Sequence, residues 1–532
     1  MKILGLGGSI HDFSACIVVD GEVAVAIEEE RLSKVKGSYH DRSTFRCKAV
    51  DYCLKYLGIN IDDIDIVIGN DIIESDYYVK FADKIKLMNH HLSHASASYY
   101  LSNFERSAIL VVDGRGSYTD EKNRIRETIS FYTSKNCQIT LNKKVEGIES
   151  DDFEIVTNSL GMFLQYVTIG IGFHEMDDKK TMKLAAKGND RFVQDFYQFY
   201  SISEGEFIQA NEQLESLKRY IKQKLEDAHA TKIRDQIKAD LSYAIQYHLE
   251  IIVLEMCNYL YERTGEENLC LSGSIFENAT LLSKIKELSP FKRYFVSTFM
   301  GDAGTCLGSA LYMYYQDNSK KLLTNRSYSP FLGRKYTQQD INTALGVYDA
   351  KYEHLDSYPE KRLAELLEQG NLIGIFNGRS EFGRASLGSR CILGNPSFLL
   401  NKVRLNKIKN RKLESSFMAF ILDKNWLGID NNNLSSPYFV NTCYLNSSEI
   451  PPPLNNGNWS TYFITTDQKV NSLIHNLVNE FYNLTALPMV INTPLKISGA
   501  TLIETPLDAL EFFYQSYLDY LYIDNYLITK NM

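Results

Sequence analysis

A buried apolar run, Ala108 to Val112, stops at Asp113 in Val-Asp-Gly-Arg-Gly, and the same succession of strand, glycine turn and helix recurs twice downstream. The run Leu269–Leu271 gives way to Ser272-Gly273-Ser274 and a helix. From Phe295 the chain passes through Gly301-Asp302-Ala303-Gly304 into a helix that includes Ala310. This order restricts the chain to an α/β fold in which polar groups gather where strands end.

The amino-terminal segment has the pattern of a β-meander. Lys2–Leu6, Ala15–Val19 and Val23–Glu28 alternate with the turns Gly7-Gly8-Ser9 and Asp20-Gly21. Asp62–Ile68 and Lys84–Leu87 are predicted as strands, the second leading into a helix that carries His94, and helical periodicity covers Leu160–Tyr166 and about Gln213 to Tyr261. A meander with glycine turns facing a cleft and helices outside, used twice, fits the actin and sugar-kinase type of nucleotide-binding fold.

At 532 residues the chain exceeds one ordinary core. A polar segment, Gln316 to Tyr336, is the expected linker, so domains are expected at 1–320 and 337–532. The second is α/β as well, with strands at Asn371–Phe376, Met489–Asn492 and Tyr520–Ile523 and helices at Lys469–Tyr482 and Leu507–Tyr517.

With 66 acidic against 57 basic residues the net charge is −9, which opposes a nucleic-acid partner and favours a small-molecule substrate. The nine cysteines form no Cys-x-x-Cys pair and interrupt apolar runs, which predicts buried, reduced thiols and a cytoplasmic location. Neither a secretory h-region nor a membrane-spanning apolar stretch is expected.

The side chains best suited to chemistry are His90 and His94, one helical turn apart in Asn-His-His-Leu-Ser-His-Ala, with Asp113 and Asp302 at strand ends. Two imidazoles at i and i+4 aim at one point, and two carboxylates complete a shell for iron, zinc or manganese without any thiolate. Each residue also has an ordinary reading. Asp113 and Asp302 beside glycines are common turn formers, a loop histidine such as His11 often caps backbone amides, Lys36 lies in a lysine-rich segment, and Arg379, Arg384 and Arg390 are candidates for surface ion pairs.

Several motifs then fall in one order. Ser9-Ile10-His11-Asp12-Phe13-Ser14-Ala15, Glu28-Glu29-Glu30-Arg31-Leu32-Ser33-Lys34-Val35-Lys36, the His90–His94 pair, Asp113-Gly114-Arg115-Gly116, Lys180-Thr181-Met182, Ser272-Gly273-Ser274-Ile275-Phe276-Glu277-Asn278 and Gly301-Asp302-Ala303-Gly304-Thr305 follow along the chain. In that succession the chain resembles the O-carbamoyltransferases of antibiotic and nodulation-factor biosynthesis. The resemblance implies an actin/sugar-kinase-like (ASKHA) amino-terminal domain that binds metal and an adenylate, and a YrdC-like carboxyl-terminal domain that makes carbamoyl adenylate from carbamoyl phosphate and ATP. It further implies Fe2+, or Zn2+ or Mn2+, on His90, His94, Asp113 and Asp302, with Mg2+ accompanying ATP. Adenylate contacts are implied for Lys36, Ser274 and Asn278. His11 is the candidate base for the acceptor hydroxyl of a small natural product.

The carboxyl-terminal half departs from that family's pattern. Arg379-Ser380-Glu381-Phe382-Gly383-Arg384-Ala385-Ser386-Leu387-Gly388-Ser389-Arg390 has alanine where the family's second arginine stands, and Glu414-Ser415-Ser416-Phe417-Met418-Ala419 replaces a segment that carries another. The remaining phosphate-binding candidates are Arg379, Arg384, Arg390, Lys409, Arg411, Asn492 and Thr493. Each charge-assisted bond to phosphate is worth about 1.5–3 kcal/mol, so the losses matter. Three outcomes stay open: a different carbamoyl donor, a partner subunit that makes the adenylate, or sufficiency of the residues that remain. Lys183 and Lys187 stand where the family has Gly and Tyr. A homodimer is compatible with the sequence. Transfer of a threonylcarbamoyl group to tRNA shares the paired histidines, but the acidic balance and the fused second domain oppose it.

Overall fold

The computed structural model describes the chain apart from residues 39–45, 74–80, 82–83, 152–154, 176, 317–328, 384–385, 413–414, 423–440, 445–450, 456–459 and 531–532, and describes only the backbone of 441–444 and 460–461. The chain forms two compact units. One comprises Ile3–Ser9 and Ile66–Arg326, the other Met1–Lys2, Ile10–Asp65 and Ser327–Met532. The segment Ile10–Asp65, expected within an amino-terminal domain of residues 1–320, thus folds with the carboxyl-terminal half.

In the first unit, Lys2–Gly7, Ile66–Asn70 and Ile85–Met88 pair in parallel, with Ile3 opposite Ile66 and Val67 opposite Ile85. The expected strand Asp62–Ile68 is shorter. The Asn60 amide donates to Asp63 Oδ2 at 2.8 Å and the Asp63 amide to the Asn60 carbonyl at 3.1 Å, which holds Ile61–Asp63 as a 3-10 turn and delays the strand to Ile66.

A second sheet of this unit runs in the order Arg293–Val296, Asn268–Ser272, Arg106–Val112, Ile125–Lys135 and Tyr118–Asp120, with Gln138–Ile148 pairing Ile125–Lys135. The first three are mutually parallel, and Arg106–Val112, Ile125–Lys135 and Gln138–Ile148 form an antiparallel meander. A meander extended by two parallel strands that are reached through helices is the arrangement expected of one half of the actin/sugar-kinase type of fold. The centre of the sheet is apolar, with Ala108 through Val112 fully buried.

The helical stretch expected from Gln213 to Tyr261 is two helices, Asn211–Glu226 and Thr231–Thr264. The backbone amide of Asp227 closes the first helix on Gln223, and Arg234 donates to the carbonyl of the buried Ala228, so the chain turns there and both apolar stripes are covered.

The second unit contains an antiparallel hairpin, Ser14–Val19 with Glu22–Glu28, against which the helix Lys48–Leu57 packs. It also contains a nine-stranded mixed sheet. Its order is Lys351–His354, Tyr526–Thr529, Tyr520–Ile523, Ile373–Phe376, Arg390–Gly394, Met489–Pro494, Met418–Ile421, Ser460–Thr465 and Asn441–Tyr444. Both faces carry apolar cores. Phe376, Ile392, Leu521 and Phe513 belong to one, and Ile373, Leu393, Leu477 and Val490 to the other. Among the described residues no helix is long and apolar enough to cross a membrane, and the eight described cysteines are buried.

Candidate functional site

The paired histidines lie at the start of the helix His90–Leu101. Asn89 caps it by accepting from the amide of Leu92 at 2.8 Å, which places His90 in the first turn and His94 one turn on, on the same face. Glu127, on the neighbouring meander, fixes that end of the helix. Its Oε1 accepts from Asn89 Nδ2 at 2.9 Å and from the amides of His91 and Ser117 at 3.1 Å each, while Lys144 pairs with Oε2 at 2.8 Å. Burial works against its charge, but the charges of His91 and Lys144 and these bonds bring the carboxyl down to about 2.

Asp113 and Asp302 reach the histidines because two close approaches permit it. Gly273 has φ +109°, and a Cβ there would stand 2.1 Å from the carbonyl oxygen of Val112, so glycine alone lets the Ser272–Ser274 turn lie against the strand that ends at Asp113. Asp302 opens a short turn before the helix Thr305–Tyr315. In that helix Gly308 faces the histidine helix so closely that a Cβ would fall 1.8 Å from the carbonyl oxygen of Ser93.

The four side chains converge. His90 Nε2 is 3.2 Å from Asp113 Oδ2 and 3.2 Å from His94 Nε2, and Asp302 Oδ1 is 3.6 Å from each of the two Nε2 atoms. One donor atom from each residue lies within 4.8 Å of the others, and all four side chains are buried. Donors about 2.1 Å from a shared ion stand about 3.0 Å apart as octahedral cis neighbours and about 3.4 Å apart in a tetrahedron, so these four spacings, at 3.2–3.6 Å, suit donors that could share one ion.

The surrounding bonds orient the same set. His94 Nδ1 lies 3.1 Å from Ser272 Oγ, which leaves its Nε2 for the cluster, and Asp113 Oδ1 accepts from Ser274 Oγ at 2.7 Å and from the Ser274 amide at 3.3 Å. His90 Nδ1 is buried without a hydrogen-bond partner among the described residues. Burial opposes protonation of His90, but its bond to Asp113 and the charges of Asp302 and Asp113 hold it above the ordinary imidazole value. Asp113, although buried, is held well below the usual carboxylate range by its bond to His90 and the neighbouring histidines. Two carboxylates and two imidazole nitrogens gathered out of water favour a divalent cation, which would neutralise the carboxylates. His91 faces elsewhere. Its Nδ1 meets Ser130 Oγ at 2.8 Å, and burial lowers it to about 4.

Of the other sequence candidates in this unit, Asn278 is a helix cap. Its Oδ1 accepts from the Leu281 amide at 3.1 Å and its Nδ2 donates to Gln246 at 2.7 Å. In the second unit His11 is part-exposed, with Nδ1 3.2 Å from the carboxylate of Asp12, and Lys36 is exposed.

The basic residues of the carboxyl-terminal half are largely engaged by backbone. Arg379 donates from Nε to Gly333 O at 2.5 Å and from Nη2 to Ala24 O and Leu332 O at 2.7 Å each. The fully buried Arg390 donates to Asn377 O, Ser389 O and Gly378 O at 2.9–3.1 Å and stacks on Phe376. Lys409 donates to Pro494 O, and Arg411 lies over Phe417, its charge disfavoured by burial. Buried Asn492 exchanges two bonds with Ser386, and Thr493 is buried in its strand. Arg384 lies outside the described residues.

Sequence reasoning did not single out Glu127 as a support, nor Glu28 and Arg31 as a buried pair. Arg31 Nε is 2.8 Å from Glu28 Oε2. Its Nη2 donates to Gly383 O at 2.8 Å, and the Gly383 amide donates back to Glu28 Oε1 at 2.7 Å. The Glu-Glu-Glu-Arg motif and the Gly383 loop are therefore one buried assembly. The available signal was two motifs with complementary charge, far apart in sequence.

Comparison with known proteins agrees with this order of motifs. Residues 2–81 and 71–311 match the family model for the carbamoyltransferase N-terminus, and 364–530 match that for the carbamoyltransferase C-terminus. Nodulation protein NolNO of Sinorhizobium fredii is 27% identical over 98% of this chain and 79% of its own, and nodulation protein NolO of Bradyrhizobium diazoefficiens is 27% identical over 83% and 79% respectively. Among solved structures, T. kodakarensis HypF superposes on 59% of this chain and 47% of its own with a TM-score of 0.41 at 14% identity, too loosely to carry residue correspondences. Matched by family models over residues 2–311 and 364–530, the chain belongs to the carbamoyltransferases.

Proposed function

We propose that the protein is an ATP-dependent O-carbamoyltransferase that makes carbamoyl adenylate from carbamoyl phosphate and ATP and passes the carbamoyl group to a hydroxyl of a small natural product. The single observation that carries this reading is the buried convergence of His90, His94, Asp113 and Asp302 in a chain of the carbamoyltransferase family. A divalent ion on these four residues, Fe2+ first and Zn2+ or Mn2+ as alternatives, would supply Lewis-acid stabilisation of charge on a phosphate or carbonyl oxygen.

In this reading the acceptor oxygen bonds to the carbamoyl carbon, the carbon–oxygen bond to the adenylate phosphate breaks, AMP leaves, and the hydroxyl proton passes to His11. The Asp12 carboxylate, 3.2 Å from Nδ1, supports that assignment because it orients the imidazole ring. Lys36, Ser274 and Asn278 are assigned to the adenylate, and Arg379, Arg384, Arg390, Lys409, Arg411, Asn492 and Thr493 to the phosphates of the first half-reaction, with Mg2+ accompanying ATP.

A second reading has a specific observation behind it. The donors of Arg379 and Arg390 that form bonds are already spent on carbonyl groups, which favours a subunit that receives its adenylate from a partner or uses another acyl donor. Labelled pyrophosphate discriminates. With ATP and carbamoyl phosphate present, label is expected to enter ATP; no exchange by the pure, metal-loaded protein transfers the first half-reaction to a partner.

Metal uptake is expected to depend on pH in one direction. A protonated imidazole cannot ligate, and His90 is held above its ordinary value by Asp113 and Asp302, so protons compete with the metal to a pH above 6.5. Affinity measured by chelator competition should therefore rise from pH 6 to 8 and release protons. An affinity flat across that range excludes His90 as a ligand.

A further inference from the structure

Away from the histidine cluster, the first unit holds a cavity of about 530 Å³ between the end of the helix Leu160–Gly170 and the two helices Asn211–Glu226 and Thr231–Thr264. Lys218, Lys222, Arg234 and Lys238 line it with a single acid, Glu226, so its wall carries a local charge of +3 in a chain whose net charge is −9. The half-charge at the carboxyl end of Leu160–Gly170 does not balance that. Only partial neutralisation comes from within: Lys218 pairs with Glu215 at 2.8 Å, and Lys222 stands 3.8 Å from Glu226.

Two further features shape the space. Gly172 has φ +93°, and a Cβ there would lie 3.3 Å from Lys238 Nζ, so the glycine lets that ammonium lie against the turn which closes the helix. Beside the charges, Tyr166 and Leu225 supply apolar surface, with Lys218 Nζ 4.7 Å from the centre of the Tyr166 ring. The volume falls within the range for small-ligand sites and exceeds what an inorganic phosphate fills.

We propose that this cavity binds an organic phosphate, its phosphate held by Lys218, Lys222, Arg234 and Lys238 and its organic part resting on Tyr166 and Leu225. The helix Leu160–Gly170 links the cavity to the metal-ligand loop. At its start Ser159 Oγ donates to Gly114 O at 2.8 Å, and Gly161 packs on Gly114, next to Asp113. Eleven residues of helix span about 16 Å, so the ligand lies beyond reacting distance of Asp113 and acts as a remote anchor or effector.

The test uses the full chain without ATP or carbamoyl phosphate. Phenyl phosphate, inorganic phosphate and phenol are titrated calorimetrically against the protein, its Lys222→Glu/Lys238→Glu variant, and a Lys122→Glu control elsewhere on the surface. Phenyl phosphate is expected to bind more tightly than inorganic phosphate, and the double charge reversal to weaken it by at least about tenfold while the control leaves it unchanged. Affinity unaltered by the double reversal, equal binding of phenol, or no binding of phenyl phosphate overturns the proposal. A thermal midpoint of the double variant close to that of the parent shows that the fold is intact.

Discussion

Replacing His94 by Gln is expected to empty the metal site and to lower carbamoyl transfer by about 10³-fold or more, since a Lewis acid at such a site supplies several kcal/mol and each 1.36 kcal/mol is tenfold in rate. Glutamine retains much of the volume but cannot place an imidazole nitrogen 3.2 Å from His90 Nε2 and 3.6 Å from Asp302. Asp113→Asn should act alike, because it removes a charge from the shell and a firm acceptor from Ser274. Two controls separate metal loss from general damage. His91→Gln alters a histidine of the same turn that faces Ser130, and should keep the metal. His11→Ala should lose transfer and keep the metal. Elemental analysis and turnover are measured on each; full metal occupancy in His94→Gln, or metal loss with transfer within tenfold of the parent, refutes the assignment.

How far the sequence reached depended on what kind of interaction holds each part. Strands with buried apolar runs, such as Arg106–Val112 and Asn268–Ser272, announce themselves, and their polar ends mark the site. The hairpin of Ile125–Lys135 with Gln138–Ile148 does not. Its outer strand is largely exposed and lysine-bearing, and its turn uses positive φ at Asn136 and Cys137 without a glycine. Glu127, which seats the histidine helix, lies on that hairpin and was hidden with it. The helical periodicity expected from about Gln213 to Tyr261 holds on both sides of a break at 227–230 that it did not mark, where the chain turns with Ala228 buried. The histidine pair was legible because i and i+4 spacing is local, whereas the pairing of Arg31 with Glu28 and Gly383 combines a local contact with one 352 residues away.

That long-range assembly carries the second large expectation. Arg31 and Glu28 have side-chain exposures of 2% and 9% and share the Gly383 amide and carbonyl, so neither can turn to water if its partner is removed. Burial raises the Glu28 carboxyl to about 7 even with Arg31 opposing it, while the charges of Glu28 and Glu504 outweigh burial and keep Arg31 a cation. Arg31→Met leaves a buried carboxyl without its counter-charge, at a cost of about 3–5 kcal/mol. For a unit of this size that is a fall of about 10 °C in the thermal midpoint. Its pH dependence has a definite sign. A carboxyl with a folded value above its unfolded 4.5 binds more protons when folded, so its contribution is complete below pH 4.5 and is lost as pH rises through the folded value. Without Arg31 that value moves higher still, so the deficit of Arg31→Met should widen from pH 5 to pH 8. The double variant Glu28→Gln/Arg31→Met removes the stranded charge along with its partner and should recover more than half of the loss. Thermal melts of the four proteins at both pH values decide it: a single variant within 2 °C of the parent, or a double variant as unstable as the sum of the singles, would show that the pair is not what joins the two motifs.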